Sequence, residues 1–410
     1  EIAPSDWSSD VCSSDLSKGS LKVGFTPNSK DEYALTYAKQ HGKKGTPPYA
    51  GESESISPRY WKWPYWDRES VYFNSETWFG EDVYAKTRLY YDVFENALES
   101  YDDASYSTMR KRSSFKSAYD DHTYGGSVEL GLLAIPHNEL RLAVHFKRDF
   151  HKELAPKTPD VHFQEDIFSV GLEDTINFTD SFYAIAGVGY DRVKTREAEN
   201  LVGKTVTDFS RGSADAVNPQ LGLFYKVGEA GLAHASVALK SRMPSIKDKF
   251  SYRMGRAIPN PDLDPERAVN YEIGYKHSFE ERVTVEGNLF YSDVRDYILF
   301  KTVPDPDNPG KRISQNQNIG EVDMYGLELG VTARIFDPLR GGINYTWLEY
   351  ENHTNDDELL DTPRHKIFAF LEYSPMERLS LLADMEYNSK RYSSTDGERV
   401  ADGFTVFGHC

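Results

Sequence analysis

Short joints and long joints take turns along this chain. The short ones fall at residues 27–31, 79–82, 136–139, 179–181, 228–231, 279–281, 336–338 and 375–377, and one long connection separates each consecutive pair, at 40–65, 95–122, 151–160, 195–214, 243–265, 301–312 and 352–361. The segments between joints alternate with period two. RVTVEGNLFYSDV sets Val283, Val285, Leu289 and Tyr291 against Thr284, Glu286 and Asn288, and YGLELGVTARIF sets Leu327, Leu329, Val331, Ala333 and Ile335 against Glu328, Thr332 and Arg334. RLSLLADMEY and ELRLAVHFKRD repeat the pattern. Alternation over eight or more residues marks a half-buried strand. Strands running up and down would gather every short joint at one end and every long loop at the other, which is the asymmetry of an outer-membrane barrel. A soluble sandwich or propeller has no reason to keep that order.

Several segments are also long. Residues 281–300 and 313–336 read as strand throughout, whereas a tilted strand crosses a bilayer in about 9–11 residues. The excess projects on the long-loop side. Tyr271 with Tyr275, Tyr291 with Tyr297, Tyr345 with Trp347, and Tyr387 with Tyr392 are placed as interfacial girdles. No apolar run is long enough for a membrane helix. Net charge is −18, which argues against nucleic acid, since that partner needs a basic surface. Cys12 and Cys410 stand at opposite ends and form neither metal spacing nor a disulfide framework, so neither metal nor cofactor is expected. DWSSDVCSSDL near the start has no period and resembles adapter read-through, and ADGFTVFGHC stops partway through a strand. Residues 1–17 are therefore set aside as non-native, and 18–410 are read as one partial barrel.

The stretch from Lys240 to Phe279 resembles the late-barrel signature of TonB-dependent outer-membrane receptors. Arg242 and Pro244 lead into a loop ending Asn260, Pro261, Leu263, Pro265 and Glu266, followed by a strand with Asn270, Tyr271, Glu272 and Gly274. NLFYSDVRDYI and NIGEVDMYGLELG continue the match. The resemblance implies an all-β, antiparallel, up-and-down transmembrane barrel of 22 strands, of which this chain holds about 16 or 17. A plug domain, a TonB box and about five strands would be missing, leaving open edges near residues 21–26 and 404–407. It implies a non-enzymatic receptor in the outer membrane, importing a scarce ligand such as a ferric siderophore, haem or cobalamin with energy from the TonB complex. Outer-membrane lipid and lipopolysaccharide would be further partners, and nucleic acid none. The alternative is a passive porin, which has fewer strands and no plug.

The signature residues read as structural: prolines stiffen a loop that re-enters the wall. Ligand contact is expected at RYWKWPYWDRES, where Trp61, Trp63, Tyr65 and Trp66 suit a planar ligand, although an outer aromatic girdle would use the same residues. Arg253 and Arg256 could meet an anionic chelate at the rim, or a lipopolysaccharide phosphate. Asp121 beside His122 does not make a catalytic pair, because neighbours on an extended chain point to opposite faces. Asp356, Asp357 and Glu358 lack the ordered spacing of a calcium loop.

Overall fold

A computed structural model describes residues 14–46, 58–111, 113–253, 255–280, 282–356, 358–393 and 397–409. Cys12, Asp357 and Cys410 lie outside the described residues. In chain order the elements are β1 Asp15–Phe25, β2 Glu32–Gly45, β3 Trp61–Trp63, β4 Trp66–Phe79, β5 Val83–Ser100, β6 Phe115–Leu132, β7 Asn138–Leu154, β8 Val161–Asn177, β9 Phe182–Val202, β10 Thr205–Asp208, β11 Ser213–Val227 and β12 Gly231–Arg242. A short helix, α1 Ile246–Phe250, follows, and then β13 Ala257–Ile258, β14 Glu266–Phe279, β15 Val283–Pro304, β16 Arg312–Phe336, β17 Leu339–Asn352, β18 His365–Met376, β19 Leu379–Asn388, β20 Arg391–Tyr392, β21 Val400–Ala401 and β22 Phe404–His409. Seventeen of these strands have six or more residues. The other five are short pieces within or beside the long connections.

Two compact units divide the chain: Glu1–Ala134, Arg141–Gly171 and Asp191–Ala214 form one, and Ile135–Leu140, Leu172–Tyr190 and Asp215–Cys410 the other. In the first, β1, β2, β4, β5 and β6 pair antiparallel in sequence order. In the second, β11, β12, β14, β15, β16, β17, β18, β19 and β22 do the same. Register carries one apolar face across each ladder. Val23 opposes Leu35, Leu35 opposes Phe73, and Phe73 opposes Leu89. In the second unit Ile273 opposes Leu289, and Leu289 opposes Leu327. These side chains point outward: Ile273 is 58% exposed and Leu289 55%. Several of the buried apolar positions are alanines, including Ala34, Ala184, Ala198 and Ala216. Large apolar groups outside and polar ones across the sheet is the inverse of a soluble core, and is what a wall in hydrocarbon requires.

The opposite face is polar and crowded. His234 Nε2 lies 2.8 Å from Glu272 Oε1, and Lys276 3.7 Å from Glu286. Gly274 is needed on this face: a Cβ there would stand 2.1 Å from Asn288 Oδ1 and 2.4 Å from the His234 ring. Larger interior side chains close over the gap it leaves.

β1 begins at Asp15, within the 1–17 segment. Two expectations need correction. The last long strand begins at Phe404, and Val400 belongs to a separate two-residue pairing with Tyr392. Much of the supposed loop at 195–214 is strand: β9 runs on to Val202 and folds back on β10, with Thr205 opposite Val202. Its polar sequence hid this, because a strand clear of the bilayer needs no apolar face.

Candidate functional site

The outer end of the first unit gathers aromatic rings on one face of its sheet. Trp63 opposes Lys44, Trp61 opposes Ser100, and Ser100 opposes Phe115. Directly opposed residues project from the same side. That side also carries Lys86, Arg88 and Asp92 of β5, whereas Leu35, Val71 and Leu89 occupy the other. The tryptophans therefore stand on the polar face, and the girdle placement does not hold for them.

The rings form a continuous edge-to-face series. Trp61 and Trp63 centroids are 6.1 Å apart, Trp63 and Trp66 6.2 Å, Trp66 and Phe94 5.2 Å, and Trp61 and Phe115 6.4 Å. T-shaped contacts place ring edges against faces and leave other faces free. Cations line the series. Lys44 Nζ sits 3.3 Å from the Trp66 centroid and 4.8 Å from that of Trp63, Arg59 lies 4.7 Å from Trp61, and Arg68 5.3 Å from Phe94. Burial pushes the Lys44 ammonium below its usual pKa.

Behind this shelf, the 101–114 segment is knotted around one carboxylate. Asp102, 7% exposed, accepts from Ser114 Oγ at 2.5 Å, Thr108 Oγ1 at 2.7 Å, and the Arg110 and Lys111 amides at 2.8 Å. These bonds, the Ser114 hydroxyl foremost, hold its pKa well below the usual carboxylate range. The knot presents Tyr101 and Tyr106. Tyr106 meets Tyr60 edge-on at 6.1 Å, and the Tyr101 amide donates to the Tyr60 carbonyl at 2.9 Å. Tyr65 stands apart. Its hydroxyl pKa is raised by burial and then by Glu95, Asp120 and Asp67, and Glu95 shares the outward face of Leu89. The structure thus groups three of the four aromatic candidates.

Below the shelf lies a polar hollow of about 410 Å³, lined by Arg68, Ser70, Tyr72, Asp92, Thr123 and Lys147 among others. Ser70 and Tyr72 both donate to Asp92, at 2.5 and 2.6 Å. Asp121 pairs with His151 at 2.7 Å, thirty residues on, while its neighbour His122 stacks on Phe150 at 4.2 Å. The two adjacent residues do face opposite ways.

The signature in the second unit is a lock. Arg242 grips Glu266 with Nε at 2.6 Å and Nη2 at 2.7 Å, and its Nη1 reaches Asp248 at 3.0 Å. Glu266 is 6% exposed and also accepts the Ile298 amide at 2.8 Å. Ser245 and Asp248 cap α1 reciprocally. Three amides of β16 then bind the loop. Gln315 donates to the Pro259 carbonyl, Asn316 to that of Asp248 and Asn318 to that of Asp264, while Gln317 turns to Gln315. Asn260 returns a bond to the Asn316 carbonyl at 2.8 Å. Leu263, at 5% exposure, is packed beneath. The Gln315–Asn318 side of the lock was not legible beforehand, since its partners lie about 50–70 residues away and only the fold aligns them.

Arg253 and Arg256 serve differently. Arg253 holds a left-handed backbone, φ 46°, and lays its guanidinium 3.9 Å from the Phe300 centroid. Arg256 is exposed and engages Tyr252 through its backbone. Asp356 is exposed, while Glu358 takes the Tyr350 hydroxyl at 2.5 Å. One cluster went unforeseen: His162, Glu197 and Glu199 bring ligand atoms within 4.8 Å of one another. Glu199 is already bonded to the His162 amide and ring, both at 2.8 Å.

The family described as TonB dependent receptor-like, beta-barrel, matches residues 13–408. The chain belongs to that family. It is an outer-membrane β-barrel protein of a family of receptors and transporters, not of enzymes. It is 26% identical over 152 residues to the iron-regulated outer membrane virulence protein of Vibrio cholerae, covering 35% of this chain and 23% of that protein. The match to the probable TonB-dependent siderophore receptor PiuA of Acinetobacter baumannii is 21% over 252 residues, 57% of this chain and 33% of the relative. The chain thus aligns with about a quarter to a third of these relatives' length. Among solved structures, the ferric-catecholate import receptor Fiu of E. coli K12 superposes with a TM-score of 0.74 at 14% identity, covering 96% of this chain and 67% of that one. At such identity the likeness speaks for the fold alone.

Proposed function

We propose that this barrel is the wall of an active importer that takes an anionic, aromatic metal chelate of the siderophore class across the outer membrane, energised through TonB. The observation that carries this reading is the aromatic shelf with its cations. Planar rings stack on indole faces, and a chelate of net negative charge gains from Lys44, Arg59 and Arg68 beside them. The polar hollow under the shelf offers hydrogen-bonding groups in the direction of passage. Family membership supports TonB coupling over a passive porin. The named cargoes of relatives, iron and siderophore compounds, agree with the ligand class. Arg253 and Arg256 are proposed as further cations at the rim of the second unit.

The test is equilibrium binding of a ferric tris-catecholate to the full-length gene product, followed by tryptophan fluorescence. The wild type should bind it, and the combined Trp61→Ala, Trp63→Ala, Trp66→Ala variant should lose at least tenfold in affinity. Undiminished binding by that variant would remove the shelf from the reading, and preference for a neutral or cationic chelate would remove the charge argument.

A further inference from the structure

Several histidines of the barrel pair with a single acid: His41 with Asp67, His234 with Glu272 and His353 with Asp323. Two have a pair of acids in reach. At His151 the acids sit on opposite ring nitrogens, Asp121 at Nδ1 and Glu153 at Nε2, so no single ion can join all three groups. At His162 they converge: one ligand atom each from His162, Glu197 and Glu199 lies within 4.8 Å of the other two.

The fold places these groups where strands outrun the bilayer. β8 starts at Val161, directly after the long 151–160 connection, and Glu197 and Glu199 lie on the stretch of β9 that leads into its hairpin with β10. Alternation sets the two glutamates on one side of their strand, with the fully buried Ala198 on the other. The His162 amide donates to Glu199 Oε2 at 2.8 Å, and His162 Nδ1 lies 2.8 Å from the same oxygen. That double contact fixes imidazole and carboxylate relative to each other. Glu197 is partly buried, and among the described residues it has neither a hydrogen bond nor an ion pair. The guanidiniums closest in sequence are committed elsewhere, Arg196 to Asp166 at 2.6 Å and Arg211 to Asp208 at 3.3 Å. Asp208 directly opposes Glu199 on β10 and adds negative charge. Carboxylates gathered around one imidazole repel one another until a cation joins them.

We propose that His162, Glu197 and Glu199 form a divalent-metal site of the zinc class that ties the outer end of β8 to β9. The donor set argues the metal. One imidazole nitrogen with two carboxylate oxygens suits zinc, whereas Ca2+ and Mg2+ seek oxygen-only sets. Three protein ligands leave the fourth tetrahedral position to water. Ligand atoms about 2.0–2.2 Å from a zinc ion stand roughly 3.3–3.6 Å apart. The His162–Glu199 contact is already closer than that, so the metal takes the place of the proton between them, which leaves to solvent. The carboxylate of Glu197, bound to nothing else, closes the remaining distance. The site uses no residue of the aromatic shelf and is independent of the ligand proposed there. His162 and Glu199 are 37 residues apart and form no sequence motif, which is why no metal was expected from the chain.

Zinc titration of the full-length gene product in detergent, stripped with EDTA and dialysed, tests it, with a chromophoric chelator as competitor. Heat-modifiable migration confirms that each preparation is folded. The wild type should hold one tight zinc more than His162→Ala, Glu197→Gln or Glu199→Gln. Each variant should weaken the site by roughly tenfold or more, since even an outer partner of a metal ligand is worth about 10–100-fold in affinity. Co2+ should give visible absorption bands that the same three variants lose. Amide exchange over 161–163 and 197–200 should slow on zinc addition in the wild type alone. His151→Ala should leave the zinc count unchanged, and millimolar Ca2+ should not displace the zinc. Unchanged zinc binding in Glu197→Gln and Glu199→Gln would leave a plain His162–Glu199 ion pair and overturn the proposal. Displacement by Ca2+, or loss of the zinc in His151→Ala, would overturn it equally.

Discussion

The 243–266 segment and the 59–66 segment are both outer connections rich in rings or prolines, yet they spend their chemistry in opposite ways. In the first, polar groups turn inward on the chain itself: Arg242, Asp248, Asn260 and Glu266 all have protein partners, and three amides of β16 bond to the loop. In the second, the groups that matter are half-buried rings in edge contact, with cations over them. A segment saturated with its own bonds has little left to offer a ligand. A shelf of ring faces has affinity to give and stabilises the barrel less. The family signature therefore marks the lock, and the proposed binding surface lies outside it.

Changes to the wall should erase the difference by removing both regions. Ile273→Arg places a charge on the lipid face at a cost of about 2–4 kcal/mol near the midplane, so outer-membrane assembly should collapse. Glu272→Gln, one residue away on the polar face, should assemble normally. Equal yields of the two would refute the facing.

Glu266→Ala separates the regions. It strips the Ile298 amide and two Arg242 donors of their acceptor, and should cost about 2–3 kcal/mol, less than for a fully buried pair because Arg242 is half in water. Folded yield should fall, while the fraction that folds should bind chelate with unchanged affinity. Trp63→Ala should do the reverse, with normal assembly and roughly tenfold weaker binding. If Glu266→Ala instead weakens binding without touching assembly, the roles assigned to lock and shelf are exchanged.

The smallest effect concerns His151, beside Asp121 and Glu153 above the apolar run of β7. Burial alone would lower its pKa, but the two carboxylates outweigh burial and raise it to about 9. With a folded pKa above the unfolded value of about 6.5, its stabilising contribution is complete below pH 6.5 and is lost as pH rises through 9. The gap in thermal midpoint between wild type and His151→Gln should shrink from pH 6 to pH 10. A gap that widened over that range would contradict the pairing.

The strand order and the outward face could be read from period and joint length alone, because a wall in lipid imposes both at every crossing. The facing of Trp61 and Trp63 could not. Their strand is three residues long, and the break at Pro64 and Tyr65 resets the alternation before β4. Only the pairings with Lys44 and Ser100, 19 and 39 residues away, settle the side. The Asp121–His151 pair and the Gln315–Asn318 clamp were hidden likewise, since each depends on register between distant segments. Tyr297 shows the same limit. Placed as a girdle residue, it packs instead with Val322, Tyr350 and Leu359 beyond a register shift in β15.

The most direct test of the account compares two positions two residues apart. In a full-length background with Cys12 and Cys410 replaced by Ser, Trp63→Cys and Tyr65→Cys would each be reacted with a water-soluble maleimide, with and without ferric tris-catecholate. The account predicts that the chelate slows labelling at 63 and leaves 65 unchanged, because only 63 stands on the shelf. Protection at 65 with none at 63 would contradict it.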